Sequence, residues 1–358
     1  MSKIDRVFKL MIEKGSSDLH LHEGKPPLAR VHGEIEPISD EIMTRELIYA
    51  MLSEISGAER WDKFMQCGDL DFAYQMDENN RFRANFYKQV SGAGAVFRII
   101  PTKILTLEQL GMPQVIKEFG QLRSGIVLVT GPTGSGKSTT LAALIDYINT
   151  TMSKHIVTIE EPIEFVHRNK QSVITQREVH VDTKSFKSGL KAALREDADV
   201  ILVGEMRDLE TIALALTAAE TGMLVFGTLH TNNAQKTIDR IIDVFPANQQ
   251  PQVRTMLSSS LRGVVAQLLM KRIDKPGRLA VNEILFCNLA VSAIIREGKT
   301  QKLGDVIGGG SGEGMQLMDD CIAQRLMEGK VSPVEAYMKS IDKTRFENFL
   351  PKDQPIGA

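Results

Sequence analysis

An unbroken apolar run, Ile126-Val127-Leu128-Val129, leads straight into Gly131-Pro132-Thr133-Gly134-Ser135-Gly136-Lys137-Ser138, and an amphipathic stretch over residues 141–148 follows. No other part of the chain restricts the fold so tightly. The pattern GxxxxGK[ST] between a buried strand and a helix is the phosphate-cradling turn of a parallel α/β sheet. Its glycines let consecutive backbone N–H groups turn inward onto phosphate oxygens, at the positive end of the helix dipole. Gly131, Pro132, Thr133, Gly134, Ser135, Gly136, Lys137, Ser138 and Thr139 are therefore the candidate nucleotide-binding residues. Lys137 is expected between the β- and γ-phosphates of a nucleotide, and the Ser138 hydroxyl on Mg²⁺. A chance glycine turn would not meet all four fixed positions and both flanks.

The surrounding grammar agrees with a sheet covered on both faces. Residues 155–159, 200–203 and 224–228 read as further continuous apolar strands, and 186–194 and 209–220 as amphipathic helices between them. Such βα units predict a doubly wound parallel sheet with right-handed crossovers. Beyond it, residues 251–270 are expected to be helical, 279–285 a strand, and 290–297 and 315–327 helices. The glycine-rich 308–314 is expected to be a flexible loop. The first hundred residues read as a small mixed α/β unit: Ile4, Val7, Phe8 and Met11 share a helical face, and 17–22 and 81–86 alternate as half-buried strands. Residues 28–35 look like further strand, with Gly33 a turn. His20, His22 and His32 are expected to decorate these strands. The expected boundaries are 1–99 for the small domain, 100–113 for a linker, 114–345 for the larger phosphate-loop domain and 346–358 for a flexible tail.

Composition narrows the partners. Lys and Arg number 43 against 45 Asp and Glu, a net charge of −2, and no basic tract exceeds two residues. Sequence-independent nucleic-acid binding is therefore not expected. Three scattered cysteines make neither a disulfide framework nor a metal knuckle. The opening segment carries acids and a helical period, unlike a secretory signal, and no apolar run approaches the roughly 20 residues of a membrane helix. The expectation is a soluble, intracellular protein.

A phosphate loop alone does not separate a kinase, a GTPase and an ATPase motor; the ends of the other strands do. Ligands of open α/β sheets sit beyond the carboxyl ends of the strands. Here those ends carry Glu160-Glu161-Pro162-Ile163-Glu164, Gly204-Glu205 and His230. Hydrolysis of a γ-phosphate needs a carboxylate beside Mg²⁺ and one able to orient water. Glu205, with Ser138, is the candidate metal ligand. Glu164 is the candidate general base with Glu160 assisting, and His230 is placed to sense the γ-phosphate.

Together Gly131–Ser138, Ile159–Glu164, Val203–Asp208 and Gly227–Asn232 resemble the four motifs of the secretion-type traffic ATPases. Ser17–Leu21, Arg81–Arg83, Thr175–Val179 and Ile238–Pro246 extend the likeness to the type IV pilus retraction ATPase family over nearly the whole chain. The resemblance implies a PAS-like N-terminal α/β domain before a RecA-like P-loop ATPase domain, a homohexamer, and nucleotide in a cleft between the two domains. It also implies that Arg83, Arg98, Arg195 and Arg207 surround the γ-phosphate. The implied partners are an inner-membrane platform protein of the pilus machine and a paralogous pilus ATPase, with no nucleic acid, and the implied location is cytoplasmic at the inner membrane. Four departures stand out: Glu161 where the family has Asp, Met223 where it has a first box histidine, His180 where it has Gly, and Ser292 and Ala293 inside the C-terminal Ala290–Glu297 signature. Pilus extension or type II secretion ATPases, a RecA-fold nucleic-acid translocase and a small-molecule kinase are the alternatives. The chain has no Cys-x-x-Cys of the zinc module that secretion ATPases often carry.

Overall fold

The computed structural model describes residues 2–31, 34–78, 80–100 and 103–351. His32 and Gly33, the junction residues 101 and 102, and the tail from 352 lie outside the described residues. By its internal contacts the chain divides into Met1–Lys103 with Pro162–Val166, and Ile104–Glu161 with His167–Ala358.

The first unit opens with α1 (Asp5–Glu13), which buries Val7, Phe8 and Met11 beside Ile4 and ends before Gly15 at φ 64°. Strands β1 (Asp18–His22), β2 (Leu28–Val31) and β3 (Glu34–Pro37), helices α2 (Arg45–Ser56) and α3 (Ala58–Cys67), and strands β4 (Asp69–Asp77), β5 (Asn80–Gln89) and β6 (Gly92–Ile100) follow. The six strands form one antiparallel sheet in the order β3-β2-β1-β6-β5-β4. Alternation is visible in β1, where Leu19 and Leu21 are fully buried and His20 and His22 are partly exposed. Phe8 stacks on Phe82 at 4.0 Å, and Phe64, Phe86 and Phe97 complete an aromatic core. Each fully buried phenyl ring contributes about 1.5–3 kcal/mol.

The second unit contains α4 (Ile116–Gly120), β7 (Gly125–Thr130), α5 (Lys137–Thr151), β8 (His155–Glu160), β9 (Val173–Glu178), α6 (Phe186–Ala193), β10 (Val200–Val203), α7 (Leu209–Glu220), β11 (Leu224–Leu229), α8 (Ala234–Asp243) and α9 (Gln250–Ser260). Then come β12 (Leu261–Lys271), β13 (Arg278–Phe286), α10 (Leu289–Glu297), α11 (Leu303–Gly309), α12 (Met318–Met327), α13 (Pro333–Lys339) and α14 (Thr344–Glu347). The sheet order is β13-β12-β7-β11-β10-β8-β9, parallel throughout except for the β12–β13 pair. Strand β7 shows why such a strand reads as one apolar run. Ile126 and Leu128 enter the core on the face of α6 to α11, and Val127 and Val129 enter the core of α4 and α5.

Three expectations are corrected. Residues 251–270 are not one helix: α9 stops at Ser260 and β12 begins at Leu261. Three consecutive serines weaken the helix, and Gly263-Val264-Val265 favours an extended chain once it can pair with β7. The glycine-rich stretch is not a loop throughout, because α11 runs to Gly309, anchored by buried Leu303 and Ile307, and a 3-10 turn spans Ser311–Glu313. The helix expected over 315–327 starts only at Met318, since Gln316 bridges to Ile284 in an extended conformation.

Strand β9 and the segment before it are moored to α5. Asn149, fully buried, donates Nδ2 to the Arg168 carbonyl (2.8 Å) and accepts the Lys170 N–H on Oδ1 (3.0 Å). Asn149→Ala removes both hydrogen bonds and costs about 2 kcal/mol. Chemical denaturation checks this as a lower midpoint with unchanged slope.

Candidate functional site

The phosphate loop is held open from the far side by β12. Gly131 has φ 146°, and a Cβ there would lie 2.2 Å from the Gln267 carbonyl oxygen; Gly136, at φ 87°, would bring a Cβ to 2.8 Å from Gln267 Nε2. Gln267 itself is buried. Its Nε2 donates to the Ser135 carbonyl (2.6 Å), and its Oε1 accepts Thr140 Oγ1 (2.8 Å) and Asn282 Nδ2 (3.1 Å). Lys137 opens α5 and donates Nζ to the carbonyls of Gly131 (2.8 Å) and Pro132 (3.1 Å), so its charge already lies against the loop. Ser135 Oγ is buried with no hydrogen-bond partner among the described residues. A desolvated hydroxyl of that kind needs an acceptor or donor from outside the protein. Pro132, Thr133 and Gly134 are exposed, and Ser138 and Thr139 are half-buried on the first turn of α5. A cavity of about 360 Å³ adjoins the loop, lined by Leu110, Met112, Thr139, Leu269 and Arg278 among others.

Strand register sets the reactive ends side by side. Thr130 pairs with Leu229, Gly227 with Val203, and Val203 with Ile159. The loop, His230, Glu205 and Glu160 therefore leave four neighbouring parallel strands at the same edge of the sheet. Glu205 accepts from His230 Nε2 (2.9 Å) and from Arg207 Nε. Burial works to raise the Glu205 carboxyl, but the Arg207 hydrogen bond and charge, with His230 beside it, outweigh burial and hold it below its ordinary value. The carboxylate is therefore ionised at neutral pH. Glu160 Oε1 accepts Thr158 Oγ1 (2.7 Å) and Gln176 Nε2 (3.3 Å). Glu161 meets His180 Nε2 at 3.1 Å, and His180 has φ 68°, the left-handed conformation that favours glycine. The chain's acidic-box and His180 departures thus touch one another. Met223, at the place of a first box histidine, is half-buried against the core.

The other expected residues lie on other elements. Glu164 belongs to Pro162–Val166, which groups with the first unit; it is half-buried, and no described residue hydrogen-bonds its carboxylate. Arg83 and Arg98 are cross-strand neighbours on β5 and β6. Arg83 grips Asp71 through Nε (3.2 Å) and Nη2 (2.6 Å), and Arg98 Nε donates to Asp18 (2.7 Å). Burial raises the Asp18 carboxyl, but hydrogen bonds from Ser17 and Arg98 outweigh it and leave it lowered. Arg195 is exposed just past α6, its guanidinium without a partner among the described residues. Sequence reasoning missed Gln267, Thr140 and Gln176. The available signal for Gln267 was a lone amide inside an otherwise apolar stretch.

The family described as Type II/IV secretion system protein matches residues 1–305. The chain is 49% identical over 337 residues to the type IV pilus retractation ATPase PilT of Pseudomonas aeruginosa, spanning 94% of this chain and 98% of that one. It is 50% identical over 310 residues to a twitching motility protein of Neisseria gonorrhoeae, spanning 87% and 83%. The crystal structure of the pilus retraction motor PilT with bound ADP superposes with a TM-score of 0.90 at 42% identity, covering 97% of this chain and 99% of that one.

Proposed function

The chain belongs to the type II/IV secretion system protein family, in its pilus retraction ATPase branch, and from that premise we propose that it is a hexameric ring motor hydrolysing ATP to drive type IV pilus retraction and twitching. One observation carries the chemistry: the Glu205–Arg207–His230 cluster emerges from the next two strands after the one that ends in the phosphate loop.

The loop fits a nucleotide's phosphates, because Ser135 Oγ is buried without a partner among the described residues and Lys137 lies folded against the loop. Loop N–H groups and Lys137 would bind the phosphates, and the neighbouring cavity would take the base. Ser138 and Glu205 offer the hard oxygen donors that Mg²⁺ prefers. When bound there, Mg²⁺ would offset the negative charge of the β- and γ-phosphates. Glu164 would accept the proton of the attacking water, with Glu160 assisting. His230 and Arg207 would report on the γ-phosphate through their shared hold on Glu205, and Arg83, Arg98 and Arg195 would stabilise its developing charge. The first unit would be the PAS-like domain, joined through residues 100–113.

The ring would form head to tail. Its partners would be a platform protein of the inner membrane and a paralogous pilus ATPase. Among the described residues no helix is long and apolar enough to cross a membrane, so attachment would be peripheral from the cytoplasm. On α10, Val291 and Ile295 are buried and Ile294 is partly so, whereas Arg296 and Glu297 are exposed and suited to transmit motion. Deleting the gene tests the direction of the motor. Cells should keep or accumulate surface pili yet fail to twitch; bald cells would mean an extension motor instead.

A further inference from the structure

Thr175-Gln176-Arg177-Glu178-Val179, running off the end of β9, is used by none of the roles above. In the β8–β9 register Gln176 lies directly opposite Thr158, whose side chain is fully buried. Glu160 is two residues beyond Thr158, so its carboxylate falls on the same face of the sheet. Thr158 Oγ1 donates to Glu160 Oε1 at 2.7 Å, and Gln176 Nε2 reaches the same oxygen at 3.3 Å. The other end of the Gln176 amide accepts the backbone N–H of His167 at 2.8 Å.

One side chain therefore spans the two ends of the acidic stretch. Residue 160 lies just before 161–166, and residue 167 just after. The His167 side is anchored in turn, because Asn149 on α5 fixes the Arg168 carbonyl and the Lys170 N–H. The same α5 begins at Lys137. Only an amide of this length can donate to the carboxylate and accept from the backbone at once. A carboxylate would set a like charge against Glu160, and an apolar chain would leave both the Glu160 oxygen and the His167 N–H short of a partner.

We infer that Gln176 is a positioning residue for hydrolysis: with its amide oxygen fixed by the His167 N–H, it orients the Glu160 carboxylate. The inference rests on the proposed hydrolytic role of Glu160. On this account Gln176 acts through Glu160 and the His167 backbone, and not through the nucleotide.

The test uses the full chain, measuring Mg²⁺-ATP turnover and, separately, the Kd of a non-hydrolysable ATP analogue. Gln176→Leu should lower kcat about 100-fold, the scale of an ångström-level misplacement of a reacting group, while analogue Kd stays within about twofold. Glu160→Gln should also be slow. The double variant should be no slower than the slower single, because the two residues act through one carboxylate. Gln176→Glu, which keeps the size and the acceptor for His167, should lower kcat with Kd unchanged, and it carries the test should Gln176→Leu not fold. Parallel loss of kcat and affinity, or losses that multiply in the double variant, would make Gln176 a fastening of the loop and overturn the inference. Normal turnover in both Gln176 variants with a slow Glu160→Gln would overturn the inference alone. Normal turnover in Glu160→Gln would overturn the role of Glu160 and the inference with it.

Discussion

Lys137→Ala should lose ATP turnover by about a thousandfold while the fold survives. The expected loss is at the upper end of what removing one preorganised donor to a charged transition state costs. Lys137 is buried at the head of α5, and its ammonium lies on the carbonyls of Gly131 and Pro132, within the loop that would surround the phosphates. No other cation is held against those carbonyls among the described residues, so nothing replaces its charge. Alanine is the best helix former and does not disturb the start of α5. Gln267 and the positive-φ glycines hold the loop independently of the lysine's two bonds. Phosphate release with and without Mg²⁺, beside a circular dichroism spectrum matching the parent's, checks the result. Retained turnover in a natively folded variant would remove the loop from the chemistry.

Glu164→Gln should bind ATP normally and hydrolyse it about 10²- to 10⁴-fold more slowly, the range that a positioned general base contributes. The choice among the acidic residues is electrostatic. Glu205 is clasped by Arg207 and His230 and held below its ordinary value, which makes it a good ligand and a poor base. Glu160 already accepts from Thr158 and Gln176. Glu164 is half-buried with no hydrogen bond to its carboxylate among the described residues, so it can take a proton from water. The amide has nearly the same volume but cannot accept that proton. A nucleotide-binding titration and a single-turnover assay separate the two effects, and normal turnover would pass the role to Glu160 or Glu205.

What the sequence revealed depended on whether a residue's meaning was local. The loop from Gly131 to Ser138 is legible because its flanks, spacing and backbone conformations all lie within one short stretch. Strands β7, β8, β10 and β11 were legible because a strand covered on both faces has no polar alternation to confuse. Strand β12 was not, since eleven residues of mixed apolar character suit a helix or a strand equally until a partner strand decides. With β12 misread as helix, Gln267 could not be assigned to the loop it grips. Gln176 escaped for a related reason, because its meaning lies in a cross-strand register with Thr158 that no spacing along the chain encodes. The Glu161–His180 contact was likewise readable only as two unconnected oddities.

Gln267 reaches Ser135 and Thr140 in the loop and helix while Asn282 steadies it from β13. Glycine-rich loops ordinarily fray, and their amide hydrogens exchange through small local openings. Here an opening of the loop must also break a buried amide network spanning β12, β13 and α5. Slow hydrogen exchange should therefore extend from the sheet into the loop even before nucleotide arrives. The protein would then spend little of its binding free energy on ordering the loop, and product could leave a site that keeps its shape for the next ATP.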